Sequence, residues 1–479
     1  MNKETGLRKW TLRLACLTLT LLFGLGAAGC ALNDSGTANT NQVIAKVGSH
    51  EITYGEFKQL YDYYAQMYAS YGMDVSSDPT MASSLQSGIL NSLVQDKVLI
   101  YQAEKQGFTK LSAEQQAELD ERIKTQLDSI NEYYRSAAEA EAAESTEEDF
   151  DVEARAKEMI KEDADSYYPG KNYTAEQYLD LMTQDVKDAY YTELLKDSVT
   201  APLTVSDDEV TKWYNEYAET LKSEYTEDAT LYMDDMEEFE ANNGQPVVYA
   251  PAGYSRIMDI LIAPEDEPSE EYTANITELD TLKAECGELY IEQANGTDNS
   301  ARIAEIVAEY NKLKAETDQM ETDRFKDVKA KIDEAYGKLQ SGTAFADVMA
   351  EYTQNTSFTA VDAYKQKGML IGESDDAWSE ALHEQFKSLA VGQYSQAFKD
   401  DDGYHIIYRV SDVAQGATPV DEVKTAIHDF LLAQKQDEEW NACIQEWSAD
   451  GSVIIDYNRL SKLGISISDT SSGDTETEE

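Results

Sequence analysis

One histidine stands in the run of residues best suited to chemistry, Asp402-Gly403-Tyr404-His405, at the start of an apolar segment that reads as a strand. Other catalytic patterns are incomplete. His383-Glu384 lacks the second histidine of a zinc protease helix, and residues 400–403 fail the calcium-loop pattern at its later positions. Neither a G-x-S-x-G elbow nor a phosphate-binding loop occurs. His405 is therefore either the centre of a site of another kind or a histidine satisfied inside a domain by backbone hydrogen bonds.

The segments around His405 follow a distinctive order. An apolar strand pattern covers residues 254–262, a helix pattern includes Phe345 and Val348, and a turn at residues 389–395 precedes the strand that contains His405. This order resembles the parvulin-type peptidyl-prolyl isomerases. The resemblance implies an α/β domain whose activity needs no cofactor, no metal and no covalent intermediate.

The resemblance also implies which residues surround the rotating proline amide. His405 fits the second histidine of the family. Asp259 stands where the first histidine should be, Asn355 at the place of a Cys or Asp, and Asp402 at the place of a Ser or Thr. Carboxylates in place of neutral groups make it less favourable to seat an apolar ring. We therefore expect weak or absent isomerase activity on a parvulin fold.

The proline pocket implied by the resemblance is altered as well. Counted from Phe386, which matches a phenylalanine of the family, the usual Met and Phe fall at Ala377 and Ala381. Trp378 is expected to fill their place, and Met369 lies in a reduced form of the family's glycine-rich turn. The predicted substrate-binding residues are Phe386, Trp378 and Met369.

The N-terminal half reads as two short strands, at residues 43–48 and 51–53, followed by helices, the second of which ends near Gly107. Later helices begin at S/T-x-x-E/Q capping boxes, namely Ser112 with Gln115, Thr174 with Gln177 and Ser206 with Glu209. The opening segment resembles the N-terminal chaperone module of the PrsA and SurA foldases. The expected fold class is α+β, a mostly helical SurA/PrsA-like chaperone domain with an inserted parvulin-like α/β domain.

Tyrosine is abundant in the helical segments, and the chain has 31 in all. The foldase resemblance implies a cradle for unfolded clients, which tyrosine suits because it has a flat apolar body and a polar tip. Packing of the helices against one another is the alternative explanation for any single tyrosine.

An insertion at residues 265–322 separates the first parvulin-like strand from the first helix. Apolar residues recur there at near-heptad spacing on both sides of Asn295-Gly296-Thr297-Asp298-Asn299. The pattern predicts an antiparallel helical hairpin on the isomerase domain. It is either an arm that binds a client or partner, or a passive insertion.

The N-terminus has the layout of a secretory signal. Lys3, Arg8, Lys9 and Arg13 precede an apolar run at residues 14–28 that is short for a stable membrane span. The small residues before Cys30 resemble a bacterial lipobox, which implies diacylation of Cys30 and an extracytoplasmic protein anchored to the cell membrane. An ordinary secretory signal with an incidental cysteine is the alternative.

Charge and cysteine content exclude several classes of function. The chain has 93 acidic and 39 basic residues, a formal net charge of -54, so nucleic acid is not expected as a partner. Cys286 and Cys443 lack the spacing of metal ligands, and nothing in the sequence supports a disulfide between them. The oligomeric state is open at this point.

The C-terminal part returns to the first module if the foldase resemblance holds, through a helix that contains Trp440 and Trp447 and a strand at residues 453–457. The predicted organisation is a signal peptide (1–29), a tether (30–42), a chaperone module (43–245), a parvulin-like domain (246–413), a returning segment (414–460) and a disordered acidic tail (461–479).

These resemblances together imply a membrane-anchored foldase that holds unfolded or newly secreted polypeptides. Two alternatives remain. One is a fully active parvulin-type isomerase. The other is a non-enzymatic lipoprotein that binds one defined envelope partner through the helical hairpin.

Overall fold

The computed structural model describes residues 39–145, 150–168, 171–242, 244–372, 375 and 377–467. The predicted signal peptide, Cys30, most of the tether and the tail from residue 468 lie outside the described residues. The described strands are β1 (Val43–Val47), β2 (His50–Thr53), β3 (Tyr249–Ala250), β4 (Ser255–Ile262), β5 (Met369–Ile371), β6 (Phe398–Lys399), β7 (Tyr404–Asp412), β8 (Gly416–Ala417) and β9 (Val453–Ile455).

Helices make up most of the described chain. Those of the N-terminal half are α1 (Tyr54–Ser70), α2 (Pro79–Gln106), α3 (Ala113–Glu144), α4 (Val152–Tyr167), α5 (Ala175–Thr200), α6 (Asp207–Glu227) and α7 (Leu231–Glu240). Those that follow are α8 (Glu270–Ala294), α9 (Ser300–Arg324), α10 (Lys326–Gln340), α11 (Phe345–Tyr352), α12 (Thr356–Ala360), α13 (Asp362–Lys367), α14 (Glu380–Ser388), α15 (Val420–Ser448) and α16 (Tyr457–Lys462). The mostly helical α+β class predicted from the sequence is confirmed. Among the described residues, no helix combines the length and apolarity needed to cross a membrane.

Packing divides the described residues into two compact units. One is formed by the described residues up to Pro202 and from Glu438 onward, and the other by those from Leu203 to Asp437. The domain boundaries given by the sequence stay a prediction. Helices α6 and α7, which the prediction placed in the chaperone module, share a buried core with Tyr254 and Ile427 of the second unit.

The first unit contains a three-stranded antiparallel sheet in the order β2-β1-β9. Its outer strand β9 comes from the C-terminus, and Val453 pairs with Val47 of β1. The apolar residues of β1 pack onto α2, because Ile44, Val47 and Leu90 lie in one buried core. The two opening strands, the helices after them and the C-terminal strand therefore form as the sequence predicted.

The predicted start of the disordered tail, residue 461, lies too early in the chain. Residues 457–462 form α16, and Leu460 and Ile465 are buried in the core that also contains Ile44. The prediction counted acidic and polar residues and gave too little weight to the isolated apolar positions 463, 465 and 467, which pack against that core.

Helix starts follow the predicted capping boxes. Ser112, Thr174 and Ser206 each accept a hydrogen bond from the backbone three residues on. The Gln or Glu at that position accepts one from the backbone of the cap residue in return. Two of the orphan N–H groups at each helix start are thereby satisfied.

The second unit is built on a four-stranded antiparallel sheet in the order β5-β4-β7-β6. Side chains alternate between its faces with period two. Ile260 and Ile406 are fully buried beneath α10 and α11, whereas Ile257 and Ile407 are fully buried on the opposite face with α14. Asp259 lies on β4 between Ile257 and Leu261, and His405 lies on β7 two residues before Ile407, so both belong to the α14 face.

The predicted hairpin is present between β4 and α10. Helices α8 and α9 run antiparallel, because Asn275 contacts Met320 near the base while Glu285 pairs with Arg302 nearer the turn. Its apolar seam includes the buried residues Leu279, Leu282, Ile303 and Ile306. Cys286 on α8 and Cys443 on α15 are free cysteines.

Candidate functional site

His405 lies between two carboxylates inside the second unit. Its Nδ1 is 3.0 and 3.2 Å from the two oxygens of Asp259, and its Nε2 is 2.9 Å from Oδ1 of Asp400. The three side chains are almost completely buried, with exposed fractions of 5, 0 and 7%. Both ring nitrogens of His405 are therefore occupied by side-chain partners, and the backbone hydrogen bonds considered from the sequence are not what satisfies the ring.

The sheet register explains how Asp259 reaches His405. His405 is directly opposite Leu261, and Asp259 is opposite Ile407, so the two side chains are diagonal neighbours on one face of an antiparallel pair. The ring of Phe398 on β6 stacks on the imidazole with centroids 5.4 Å apart. The strands thus fix the position of the ring from both sides.

Asp400 is held by a tight turn that leads into β7. Its carboxylate accepts hydrogen bonds from the hydroxyl of Ser379 at 2.7 Å and from the backbone N–H groups of Asp402 and Gly403 at 3.0 and 3.2 Å. Gly403 permits this turn, because a Cβ there would lie 2.5 Å from the carbonyl oxygen of Ile262. The same turn brings Asp400 back to the ring of His405.

The two carboxylates keep the imidazole charged. Burial alone would lower the pKa of His405, but hydrogen bonds and charge from Asp259 and Asp400 outweigh it and raise this pKa to about 10. Burial would raise the pKa of Asp400, but hydrogen bonds from His405 and Ser379 hold it well below its usual value. At neutral pH His405 is therefore an imidazolium with both N–H groups already donated.

A cavity of about 250 Å³ opens over this group. The four positions that the sequence assigned to the isomerase site, Asp259, Asn355, Asp402 and His405, all line it. Asn355 caps α12 by accepting a hydrogen bond from the backbone of Ser357 at 3.1 Å. The structure thus brings these residues together, although they come from three separate segments of the chain.

The predicted pocket residues divide into two groups. Met369 and Trp378 line the cavity, and the indole N–H of Trp378 donates to the carbonyl of Leu370 at 2.9 Å, which fixes the ring in the wall. Phe386 does not line it. Its ring is buried in the core under α14, where the guanidinium of Arg409 lies 4.6 Å from its centroid. Its assignment as a substrate contact is therefore not supported, because helix α14 turns that side chain toward β7.

Helix α7 supplies a wall of the cavity that sequence reasoning missed. Met233, Met236, Glu237 and Glu240 face it. The carboxylate of Glu240 receives the guanidinium of Arg256 at 2.7 Å, and both side chains are nearly buried. Asp400 was missed as well. Its only sequence signal is the acidic run before Gly403, while nothing local to residues 231–240 indicates that they meet β4 and β7.

Comparison with known protein families matches two parts of the chain. Residues 5–160 match the SurA-like N-terminal domain, and residues 303–425 match the PPIC-type PPIASE domain. The second match begins inside α9, because the hairpin separates β4 from the rest of the isomerase-like domain. The chain is therefore similar to PrsA and SurA proteins and to parvulin-type domains, and the resemblance predicted from the sequence is confirmed.

Individual relatives carry the name PrsA. Foldase protein PrsA of Clostridium perfringens strain 13 is 32% identical over 136 residues, 28% of this chain and 39% of that protein. The chain thus spans about two fifths of the length of this relative. Foldase protein PrsA of Clostridium perfringens strain SM101 is 23% identical over 448 residues, 92% of this chain and 94% of that protein. The crystal structure of PrsA from Bacillus subtilis is 17% identical, with coverage of 86% and 91% and a TM-score of 0.26.

Proposed function

We propose that this protein is an extracytoplasmic foldase, anchored to the membrane through Cys30, that holds unfolded or newly secreted polypeptides and has at most weak peptidyl-prolyl isomerase activity. The SurA-like domain and the similarity to proteins named foldase PrsA support the holding role. The expectation of low isomerase activity rests on one observation, the buried Asp259–His405–Asp400 group.

The chemistry of proline isomerisation explains why the hydrogen bonds of His405 matter for activity. The amide rotates over a barrier of about 18 to 20 kcal/mol, which a site lowers by hydrogen bonds that change as the bond twists. An imidazolium whose two N–H groups are held by Asp259 and Asp400 has no free donor or lone pair for that exchange. A substrate amide would have to displace a charge-assisted hydrogen bond, which costs more than displacing a neutral one.

A group of tyrosines offers a surface for unfolded chains in the first unit. Tyr64 and Tyr133 are 37 and 46% exposed, and each stacks edge-on against a neighbouring tyrosine. Burial is the main cause of the raised pKa of Tyr167, followed by the charge of Asp163 and by Tyr63 and Tyr133. We name Tyr63, Tyr64, Tyr133 and Tyr167 the tyrosine surface. Amphipathic rings of this kind contact apolar side chains and backbone alike.

The test of the proposal joins two assays on the full chain, suppression of aggregation of an unfolded client and catalysed isomerisation of proline tetrapeptides. We expect suppression with little catalysis. The double variant Tyr64→Ser/Tyr133→Ser should weaken suppression, whereas Tyr457→Ser, which removes a tyrosine that is 58% exposed elsewhere in the unit, should not. Absence of suppression by the unaltered chain would refute the holding role.

An active isomerase is the second candidate, and one observation favours it. The four positions carried over from the family line a single cavity. Catalysis of tetrapeptide isomerisation that disappears in His405→Ala would establish this function and show that the histidine exchanges partners during turnover.

The hairpin favours a third candidate, a lipoprotein with one defined partner. Tyr290 and Ile291 near the turn are 55 and 66% exposed, which is unusual for two adjacent large apolar side chains. Loss of function in cells after deletion of residues 265–322, with client suppression retained in vitro, would support this candidate over the foldase.

A further inference from the structure

The cavity over His405 combines apolar walls with an acidic lining. Met233, Met236 and Met369 give it flexible apolar surfaces, and Trp378 gives it a flat one. Thioether side chains adapt their shape to different occupants. The walls therefore suit an aliphatic stem of variable position better than one rigid ring.

The charges of the lining are strongly unequal. Five carboxylates line the cavity, those of Glu237, Glu240, Asp259, Asp400 and Asp402, and the described lining residues include no lysine or arginine. His405 neutralises part of the charge of Asp259 and Asp400, and Arg256 neutralises Glu240. Glu237 and Asp402 are exposed at the rim, and among the described residues neither has a cationic partner.

One of these carboxylates already holds a guanidinium. Arg256 donates to Glu240 at 2.7 and 3.2 Å and also to the carbonyl of Gly368 at 2.8 Å. This ion pair satisfies Glu240, so among the described lining residues Glu237 and Asp402 are the carboxylates without a cationic partner.

We propose that the cavity binds the side chain of an arginine or lysine in an extended client segment, with the aliphatic stem along the methionines and Trp378 and the cationic head at Glu237 and Asp402. Long basic side chains bury their stems against apolar surface while the head remains polar. An apolar or acidic side chain in the same place would leave the carboxylates desolvated or opposed by like charge. The proposal rests on the proposed function, because it names the client chemistry that the parvulin-type domain selects.

The test uses three labelled extended peptides that differ at one central residue, arginine, citrulline or glutamate, and the full chain. Citrulline keeps the shape of arginine and removes its charge. In fluorescence anisotropy at low salt we expect the arginine peptide to bind about tenfold more tightly than the citrulline peptide, and the glutamate peptide more weakly still. The preference should shrink as salt is added, because the rim is exposed.

Two double variants locate the preference. Glu237→Gln/Asp402→Asn should bring the arginine and citrulline peptides to equal affinity. The control Glu238→Gln/Asp401→Asn removes the same charge from neighbouring exposed positions that do not line the cavity, and it should retain the preference. Thermal melts of both variants should match the unaltered chain, since all four side chains are exposed.

The outcomes separate this inference from the function on which it rests. Equal affinities for arginine and citrulline peptides, or a preference that survives in Glu237→Gln/Asp402→Asn, would overturn the basic-side-chain site. If the chain nonetheless suppresses client aggregation, the foldase function stands without it. Loss of both peptide binding and aggregation suppression would remove the two together.

Discussion

The Nδ1 of His405 lies 3.0 Å from a carboxylate oxygen of Asp259, at a position where the parvulin resemblance leads one to expect two histidines side by side. Asp259 has no exposed surface, and a buried carboxylate is costly unless a charge or hydrogen bonds compensate it. Protonation of His405 supplies that charge. With Asp259 at this position, His405 therefore stays protonated at neutral pH.

This pair makes the stability of the second unit depend on pH. The pKa of His405 is raised from 6.5 in the unfolded chain to about 10 in the folded chain. Below pH 6.5 the ring is charged in both states, and the ion pairs contribute fully. Between pH 6.5 and about 10 only the folded chain keeps the proton, so this stabilisation, on the order of a few kcal/mol, is lost as the pH rises.

Denaturant unfolding between pH 6 and 10 measures that loss. The unaltered chain should lose stability across the interval, and His405→Gln should be less stable at pH 6 with a smaller decline. His428→Gln, which changes a histidine with a 40% exposed side chain, is the matched control and should follow the unaltered chain. Parallel curves for the unaltered chain and His405→Gln would contradict the raised pKa.

Much of the fold could be predicted because its signals are local. The capping boxes at Ser112, Thr174 and Ser206 depend on residues three apart, and they marked helix starts that the structure contains. Side chains alternate between the two faces of a strand, so residues two apart in β4 or β7 share a face. Asp259 and His405 could be placed near each other from the family resemblance together with this alternation.

The rest of the site depends on contacts that spacing does not encode. Asp400 reaches His405 only because the turn at Gly403 folds back tightly, and a run of three aspartates does not say which of them turns inward. Helix α7 lines the same cavity as Asp259 and His405, although His405 lies more than one hundred residues later in the chain. The methionines of α7 do not differ in pattern from those of other amphipathic helices. A residue count along a helix does not give the rotation of the helix, and the ring of Phe386 lies in the core under α14.

The ion pair between Arg256 and Glu240 should hold α7 against the sheet. Their side chains are 12 and 5% exposed. Arg256→Met leaves a buried carboxylate without its partner, so we expect a loss of about 3 kcal/mol or more in the free energy of unfolding. Replacing both residues, Arg256→Met with Glu240→Leu, should recover much of this loss, because no unpaired charge remains.

Equilibrium unfolding of the single and double variants gives the coupling between the two residues. The exposed pair of Lys329 and Asp333 provides the control, and Lys329→Met should cost no more than about 0.5 kcal/mol. Additive losses for Arg256→Met and Glu240→Leu would show that the pair does not act as a unit.

Gly368 permits the turn that places Met369 in the cavity wall. Its φ is +78°, and a Cβ there would lie 2.5 Å from the carbonyl oxygen of Ile257 on β4. Gly368→Ala should therefore cost roughly 3 kcal/mol, since backbone strain adds to a clash that only movement of a strand can relieve. Gly342→Ala is the control, because φ is +95° there but the space for a Cβ is open, and the cost should be roughly 1 kcal/mol. Equal costs in thermal or denaturant unfolding would mean that strand β4 yields to the added methyl group.

The seam of the hairpin should determine its stability without affecting the sheet. Ile306 is 1% exposed between α8 and α9, so Ile306→Ala should cost about 3 kcal/mol through lost burial and the cavity it leaves. Val307, the next residue, is 41% exposed, and Val307→Ala should change the stability by less than about 0.5 kcal/mol. Hydrogen exchange followed by mass spectrometry should show faster exchange in residues 270–324 of Ile306→Ala, with the protection of β4 and β7 retained. If β4 and β7 also lose protection, the hairpin is part of the cooperative core of the isomerase-like domain, and its deletion could not serve as a test of partner binding.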